Sequence, residues 1–145
     1  MRLVLQRVAS ARVEVGAEVV GAIGRGLLAL VGVEKDDGEA AVTKAVDKLA
    51  ELRVFEDDHG RMNLAARDAG AAFLVVSQFT LAASLERGRR PSFDAAAAPA
   101  IAEPLIEMLI AGLRQRGYEV ATGRFGAHMQ VSLVNDGPVT FVLEL

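Results

Sequence analysis

Residues 71–80 read Ala71-Ala72-Phe73-Leu74-Val75-Val76-Ser77-Gln78-Phe79-Thr80, and this stretch decides the fold class. An unbroken apolar run that gives way at once to polar residues describes a strand buried on both faces. Its carboxyl end then delivers side chains to a place where ligands gather in open α/β sheets. A second such run, Leu27-Leu28-Ala29-Leu30-Val31-Gly32-Val33, follows the punctuation of Gly24 and Gly26. Helices are needed to cover strands of this kind, and two segments have the period. Residues 39–53 place Val42, Ala45, Val46, Leu49 and Leu52 on one face, with Lys44, Asp47, Lys48 and Glu51 opposite. Residues 99–116 do the same with Ile101, Leu105, Met108, Leu109 and Leu113, and Gly117 supplies the stop. Pro99 and Pro104 both lie early in that segment, so the helix either starts after Pro99 or bends near Pro104.

Outward from these elements the chain reads as strands. Leu3, Leu5, Val8, Val13 and Val15 alternate, with an interruption around residues 9–11 that predicts a bulge or bend. Gly16-Ala17 separates this strand from residues 19–23, a hairpin pattern. Residues 33–38 are acidic and turn-like, and residues 55–60 read as a short strand running into a tight turn. Short strands over 118–121, 129–134 and 139–145 close the chain, with Asn135-Asp136-Gly137-Pro138 as the turn joining the last two. No repeat, low-complexity linker or boundary interrupts the chain. The expectation is an α/β fold: one domain over residues 1–145, a mixed β-sheet packed with two main helices.

Composition narrows the chemistry. The 145 residues include no cysteine and no tryptophan, one tyrosine (Tyr118) and two histidines (His59 and His128). Disulfides, thiolate nucleophiles, Fe–S clusters and cysteine zinc sites are thereby excluded. His59 stands beside Asp57 and Asp58, but no second cluster completes a coordination shell, and a solvated loop tip is the plainer reading. No metal and no cofactor is expected. The formal net charge is −3, so no whole-molecule positive field advertises a nucleic-acid binder, and any RNA contact has to be local. No apolar run reaches the length of a membrane span, and the alternating, arginine-bearing start is unlike a secretory signal. The expected location is the cytoplasm.

Generic motifs fail. There is no Walker loop, and Gly21-Ala22-Ile23-Gly24-Arg25-Gly26 has the wrong glycine order for a dinucleotide fingerprint. Val75 and Phe79 stand where a nucleophile elbow around Ser77 requires glycines. Two segments remain. Ser77-Gln78-Phe79-Thr80 follows a buried strand, and its polar groups either face a ligand or merely satisfy backbone groups while Phe79 packs. Asn135-Asp136-Gly137-Pro138-Val139-Thr140 is first of all a turn. Its X–Pro bond can be cis at a cost of only about 0.5–1 kcal/mol.

Taken as a pair, these segments resemble the D-aminoacyl-tRNA deacylase family. Gln6-Arg7-Val8, Arg90-Pro91-Ser92-Phe93 and Gly123-Arg124-Phe125-Gly126-Ala127-His128-Met129 are similar to further family segments in the same order. The resemblance covers nearly the whole chain. It implies a deacylase-like fold, a homodimer without a required metal, and hydrolysis of the ester between a D-amino acid and the terminal adenosine of tRNA. Glycine is also cleared by family members. By the same match Ser77, Gln78, Phe79 and Thr80 line the catalytic pocket, and Gly137-Pro138 forms a cis peptide that reaches into the partner's active site as a chirality filter.

Physical chemistry suits that implication. Carbonyls of a fixed loop can hold the α-ammonium while occupying the space an L side chain needs, so rejection is steric. Glycine would escape such a filter. An aminoacyl ester is already activated, and the neighbouring ribose 2′-hydroxyl can assist attack. Amides near Phe79 and Thr80 can receive the oxyanion. Arg7 is a possible support for the loop, and Arg87, Arg89 and Arg90 are possible tRNA phosphate contacts near the acceptor end. Neither a membrane nor DNA is expected as a partner. Two other readings stay open: an esterase using Thr80 as nucleophile, and a non-catalytic dimer that binds RNA ends.

Overall fold

The computed structural model describes residues 1–86 and 88–145; the expected phosphate contact Arg87 lies outside them. In chain order the elements are β1 (Arg2–Val15), β2 (Glu18–Ile23), β3 (Gly26–Gly32), α1 (Glu39–Glu51), β4 (Arg53–Glu56) and β5 (Met62–Ala65). These are followed by β6 (Ala72–Ser77), a short 3₁₀ turn (Phe79–Ala82), α2 (Pro99–Gln115), β7 (Val120–Thr122) and β8 (Gln130–Glu144). The main sheet runs β2-β1-β3-β6-β7, with β8 on the other side of β1 and β4-β5 as a separate hairpin. β3, β6 and β7 are parallel, and the pairs made by β1 are antiparallel, so the sheet is mixed as the two apolar runs implied.

Alternation along the buried strands sorts the core into two layers. Leu27, Ala29, Val31, Phe73 and Val75 face the helices and meet Val42, Leu49, Leu105, Leu109 and Leu113. Leu28, Leu74 and Val76 face the other way, with Val8, Val13 and Ile23. β1 serves both layers because it changes parity part-way. Leu3 and Leu5 belong to the helix-side core, Ala11 and Val13 to the opposite one, and the register with β8 slips between Val8 and Ser10. The interruption read at residues 9–11 is this bulge: one extra residue turns the following side chains to the other face.

The far layer is closed by curvature. Gly21 on β2 lies so near Thr122 that a Cβ there would stand 2.2 Å from the Thr122 carbonyl oxygen. Absence of a side chain thus lets β2 curl against β7 and cover the second core. Arg116 bonds Asp47 to tie α2 to α1, and the Met1 ammonium reaches Asp37 Oδ1 at 2.6 Å and the Leu145 carbonyl at 3.0 Å.

Several expectations need correction. α1 stops at Glu51 rather than Arg53, because Leu52 turns extended and Arg53 already pairs in β4. α2 begins at Pro99 and carries Pro104 within it. The strand Met62–Ala65 and the 3₁₀ turn were not anticipated. Most consequentially, residues 135–138 do not reverse the chain. Both halves of β8 pair with the same strand, Gln6 opposite Thr140 and Val8 opposite Asn135. Arg7 alone on β1 therefore faces residues 136–139, which leave the ladder as an excursion and rejoin it.

Candidate active site

Parallel pairing places Ser77 beside Val31, at the carboxyl end of the doubly buried strand. The chain then turns sharply. Gln78 donates its amide to the Val31 carbonyl at 2.8 Å, and Leu81 returns to the Gln78 carbonyl at 3.1 Å. The first amides of this single turn, those of Phe79 and Thr80, have no carbonyl behind them within it. Gln78 also donates its side-chain amide to the Thr80 hydroxyl.

The turn forms one wall of a cleft of about 530 Å³. Ser77, Gln78 and Phe79 line it, Ala102 and Ile106 of α2 form its floor, and Phe125 and Met129 bound it from the loop after β7. Its size falls within the roughly 300–1,000 Å³ of small-ligand sites, and its wall is mostly apolar, as a planar ring requires. Met129 belongs to the second core as well as to the cleft, so packing and binding coincide there. His128 also lines the cleft, but the exposed Thr80 does not. Among the described residues no cluster of His, Asp or Glu converges in a way that could hold a metal ion.

Gly137 and Pro138 lie elsewhere. Leu3 is level with Val31, itself level with Ser77, whereas Arg7 is level with Leu27. Strand rise puts roughly 13 Å along the sheet between those levels. The loop is outside the cleft of its own chain. The Gly137-Pro138 bond is cis, and Gly137 has φ +140°, a conformation suited to glycine. Asn135 substitutes for the missing ladder: its Nδ2 donates to the Arg7 and Val139 carbonyls at 3.2 and 3.0 Å, and its Oδ1 accepts the Val139 amide at 3.0 Å. Arg7, only 4% exposed, donates Nε to the Asp136 carbonyl at 3.1 Å and Nη1 to the Val54 carbonyl at 2.8 Å.

Arg89 and Arg90 are exposed in the segment after the 3₁₀ turn, outside the cleft lining. A carboxyl with a depressed pKa lies far off, on the β4–β5 turn. There the Arg61 amide, helped by those of His59 and the Asn63 side chain, holds the Asp57 carboxyl below its ordinary value. Phe125 and Phe93 were not singled out for a role by the sequence reading. Neither carries a polar group to flag it, and only the packed loops show what each faces.

Fold and site together define an α/β protein with its ligand cleft at the carboxyl ends of parallel strands. The chain belongs to the D-Tyr-tRNA(Tyr) deacylase family, whose model matches residues 4–144. It is 57% identical over 145 residues to the D-aminoacyl-tRNA deacylase of Ectopseudomonas mendocina, covering 100% of both chains. It is 54% identical over 144 residues to that of Symbiobacterium thermophilum, covering 99% of this chain and 95% of the relative. Among solved structures, the c-Myc DNA Unwinding Element Binding Protein superposes with a TM-score of 0.94 at 40% identity, covering 100% of this chain and 99% of the other. A probable eukaryotic D-amino acid tRNA deacylase shares the fold at a TM-score of 0.87 and 19% identity, covering 99% and 98%.

Proposed function

We propose that this protein hydrolyses the ester joining a D-amino acid to the terminal adenosine of tRNA, releasing free amino acid and tRNA. The observation that carries the reading is family membership over residues 4–144, with Ser77, Gln78 and Phe79 lining an apolar cleft. The adenosine ring enters the cleft between Phe125 and Met129. The ester lies against the Phe79 and Thr80 amides, which receive the developing oxyanion; one such donor typically contributes about 3–4 kcal/mol to the transition state. The ribose 2′-hydroxyl, held beside the scissile carbonyl, assists attack, so the protein need not supply a nucleophile.

The chirality filter comes from a second copy of the chain. The loop at Gly137-Pro138 lies outside its own cleft but is held rigidly by Asn135 and Arg7. Seated in a partner's cleft, its carbonyls take the α-ammonium and occupy the position of an L side chain. D-aminoacyl esters pass, L-aminoacyl esters clash, and glycyl-tRNA, having no side chain, is also cleared. The partners are thus the acceptor end of tRNA and a second copy, and the cytoplasm is where such RNA is found. Thr80 as nucleophile is disfavoured because its hydroxyl accepts from the Gln78 amide, which activates nothing.

The test is one set of incubations of the purified protein with D-tyrosyl-, L-tyrosyl- and glycyl-tRNA in the presence of chelator. Release from the D and glycyl forms with the L form spared is expected; equal release from both enantiomers would remove the filter. Thr80→Ala should keep substantial activity, while tRNA ending in 2′-deoxyadenosine should be a poor substrate. An acyl group trapped on Thr80 would reverse that assignment.

A further inference from the structure

We infer that Phe79 and Phe93 form a stacking platform for the unpaired nucleotides that precede the terminal adenosine, with Arg89 and Arg90 beside their phosphates. The inference rests on the deacylase reading and adds which part of the RNA is gripped outside the cleft. The two rings lie 5.1 Å apart between centroids at an interplanar angle of 57°. Yet Phe79 is 58% and Phe93 41% exposed. Phenylalanine is ordinarily a core residue, and a paired, open aromatic surface beside a ligand cleft marks a binding surface. Phe79 lines the cleft and touches Phe93, so the platform continues outward from the cleft wall.

Its outer half is braced. Ser84 and Ser92 exchange backbone hydrogen bonds at 2.8 and 3.0 Å, pinning together the two ends of the segment between them, and Ala96 returns to the Phe93 carbonyl at 3.0 Å. Phe93 thus follows directly on a fixed pair. The pinned segment carries Arg89 and Arg90, both exposed, and no ion pair among the described residues uses either of them. Aromatic faces interleaved with arginines are what single-stranded RNA requires, because any base has a face to stack and each link carries a charge. The cleft volume is that of a single small-ligand site, which leaves the preceding nucleotides outside. A second copy of this chain fits the patch less well. A twofold axis running through the patch would set the arginines of one copy against the same arginines of the other.

The experiment compares D-tyrosyl esters of increasing length. The substrates are D-tyrosyl-adenosine, a D-tyrosylated minihelix RNA with its natural unpaired end, and the same RNA with an abasic nucleotide before the terminal adenosine. With wild-type protein, the abasic RNA should show a KM raised roughly tenfold or more and an unchanged kcat. Phe93→Ala should raise the KM of the intact RNA by a similar factor, leave D-tyrosyl-adenosine unaffected, and add nothing on the abasic RNA. Phe93→Trp should restore binding. Equal kcat/KM for intact and abasic RNA overturns the platform. So does a Phe93→Ala loss as large on D-tyrosyl-adenosine as on RNA, which would mean an effect on cleft shape. A fall in oligomer mass for Phe93→Ala without any dependence on RNA length would assign the rings to a second copy instead. If Phe93→Ala does not fold, the abasic comparison stands on wild-type protein alone. If no D-ester is cleaved, the deacylase reading has failed, and fluorescence anisotropy with uncharged minihelix and its abasic form decides the platform: equal affinities sink it.

Discussion

Arg7 is the one charged side chain in the core among the described residues. A charge can be buried at tolerable cost only when its donors are satisfied, and Arg7 reaches the Val54 carbonyl, the Asp136 carbonyl and the Glu56 carboxylate. It therefore couples β1 to the β4 strand and to the excursion of β8. Arg7→Met keeps most of the volume but orphans the buried Val54 carbonyl and the part-buried Asp136 carbonyl, at about 1–3 kcal/mol for a fully buried acceptor and less for the other. We predict a loss of about 3 kcal/mol, measured as a shift in urea midpoint at fixed protein concentration. Hydrolysis of L-tyrosyl-tRNA should rise relative to the D form, because the Asp136 carbonyl loses its anchor. An unchanged midpoint would mean that these bonds contribute nothing net. Gly137 is constrained more sharply: at φ +140° an added Cβ would stand 2.6 Å from Val139 Cγ2 and 2.9 Å from the Val139 amide nitrogen. Gly137→Ala should leave the far-ultraviolet circular dichroism native while cutting D-tyrosyl-tRNA turnover at least tenfold. Turnover at the wild-type level would show that the loop tolerates displacement.

At the scale of elements, α2 holds Pro104 inside its span, where the ring removes a backbone donor and crowds the preceding turn. The side chain is exposed, so Pro104→Ala gives back a hydrogen bond without opening a cavity. Thermal unfolding should rise by a few degrees, reflecting roughly 1 kcal/mol; a fall would mean that the proline shapes the cleft floor at Ala102 and Ile106. The β4–β5 turn carries a second, smaller device. The Arg61 amide depresses the Asp57 pKa, so the stability it brings is present above the unfolded value and lost as pH falls through the folded one. Titration of the Arg61 amide shift by NMR should give a midpoint below 3.8. How far such elements could be read in advance depended on whether the deciding contact was local. The buried runs of β3 and β6 declare themselves, as does the parity change in β1, because period and burial are properties of adjacent residues. β5 does not: Met62-Asn63-Leu64-Ala65 has no β-branched residue and becomes a strand only by pairing with β4. Asn135-Asp136-Gly137-Pro138 has every local mark of a hairpin turn. It is an excursion because Gln6 and Val8 of one distant strand take both flanks, which no local rule encodes. Ser77-Gln78-Phe79 could be placed at a strand end from pattern alone, whereas Phe125 and Phe93 gained meaning only from the loops that bring the one to the cleft and the other against Phe79 outside it.

At the scale of the whole molecule, the cleft and the loop proposed to serve it sit at different levels of one sheet, and β8 suggests how two copies would join them. β8 is an edge strand paired only with β1, and Val134 and Val142 on it are 58% and 68% exposed. A long edge with uncovered valines is a liability in a monomer and a ready surface for an isologous contact. If each cleft takes its loop from the other copy, a defect in the cleft and a defect in the loop should complement each other. Ser77→Tyr fills the cleft, and Gly137→Ala displaces the loop; as pure proteins both should be nearly inactive on D-tyrosyl-tRNA. Unfolded, mixed in equal amounts and refolded together, half of the dimers should be mixed. Each mixed dimer has one site with both defects and one site with neither. Activity should therefore return to about a quarter of wild type, and raising the proportion of either variant should lower it along the binomial curve. A site completed within one chain predicts no recovery at any ratio, since every copy then carries its own defect. Val142→Lys added to both variants separates the two accounts further: it should abolish the recovery by splitting the dimer, and analytical ultracentrifugation should show the mass falling with it.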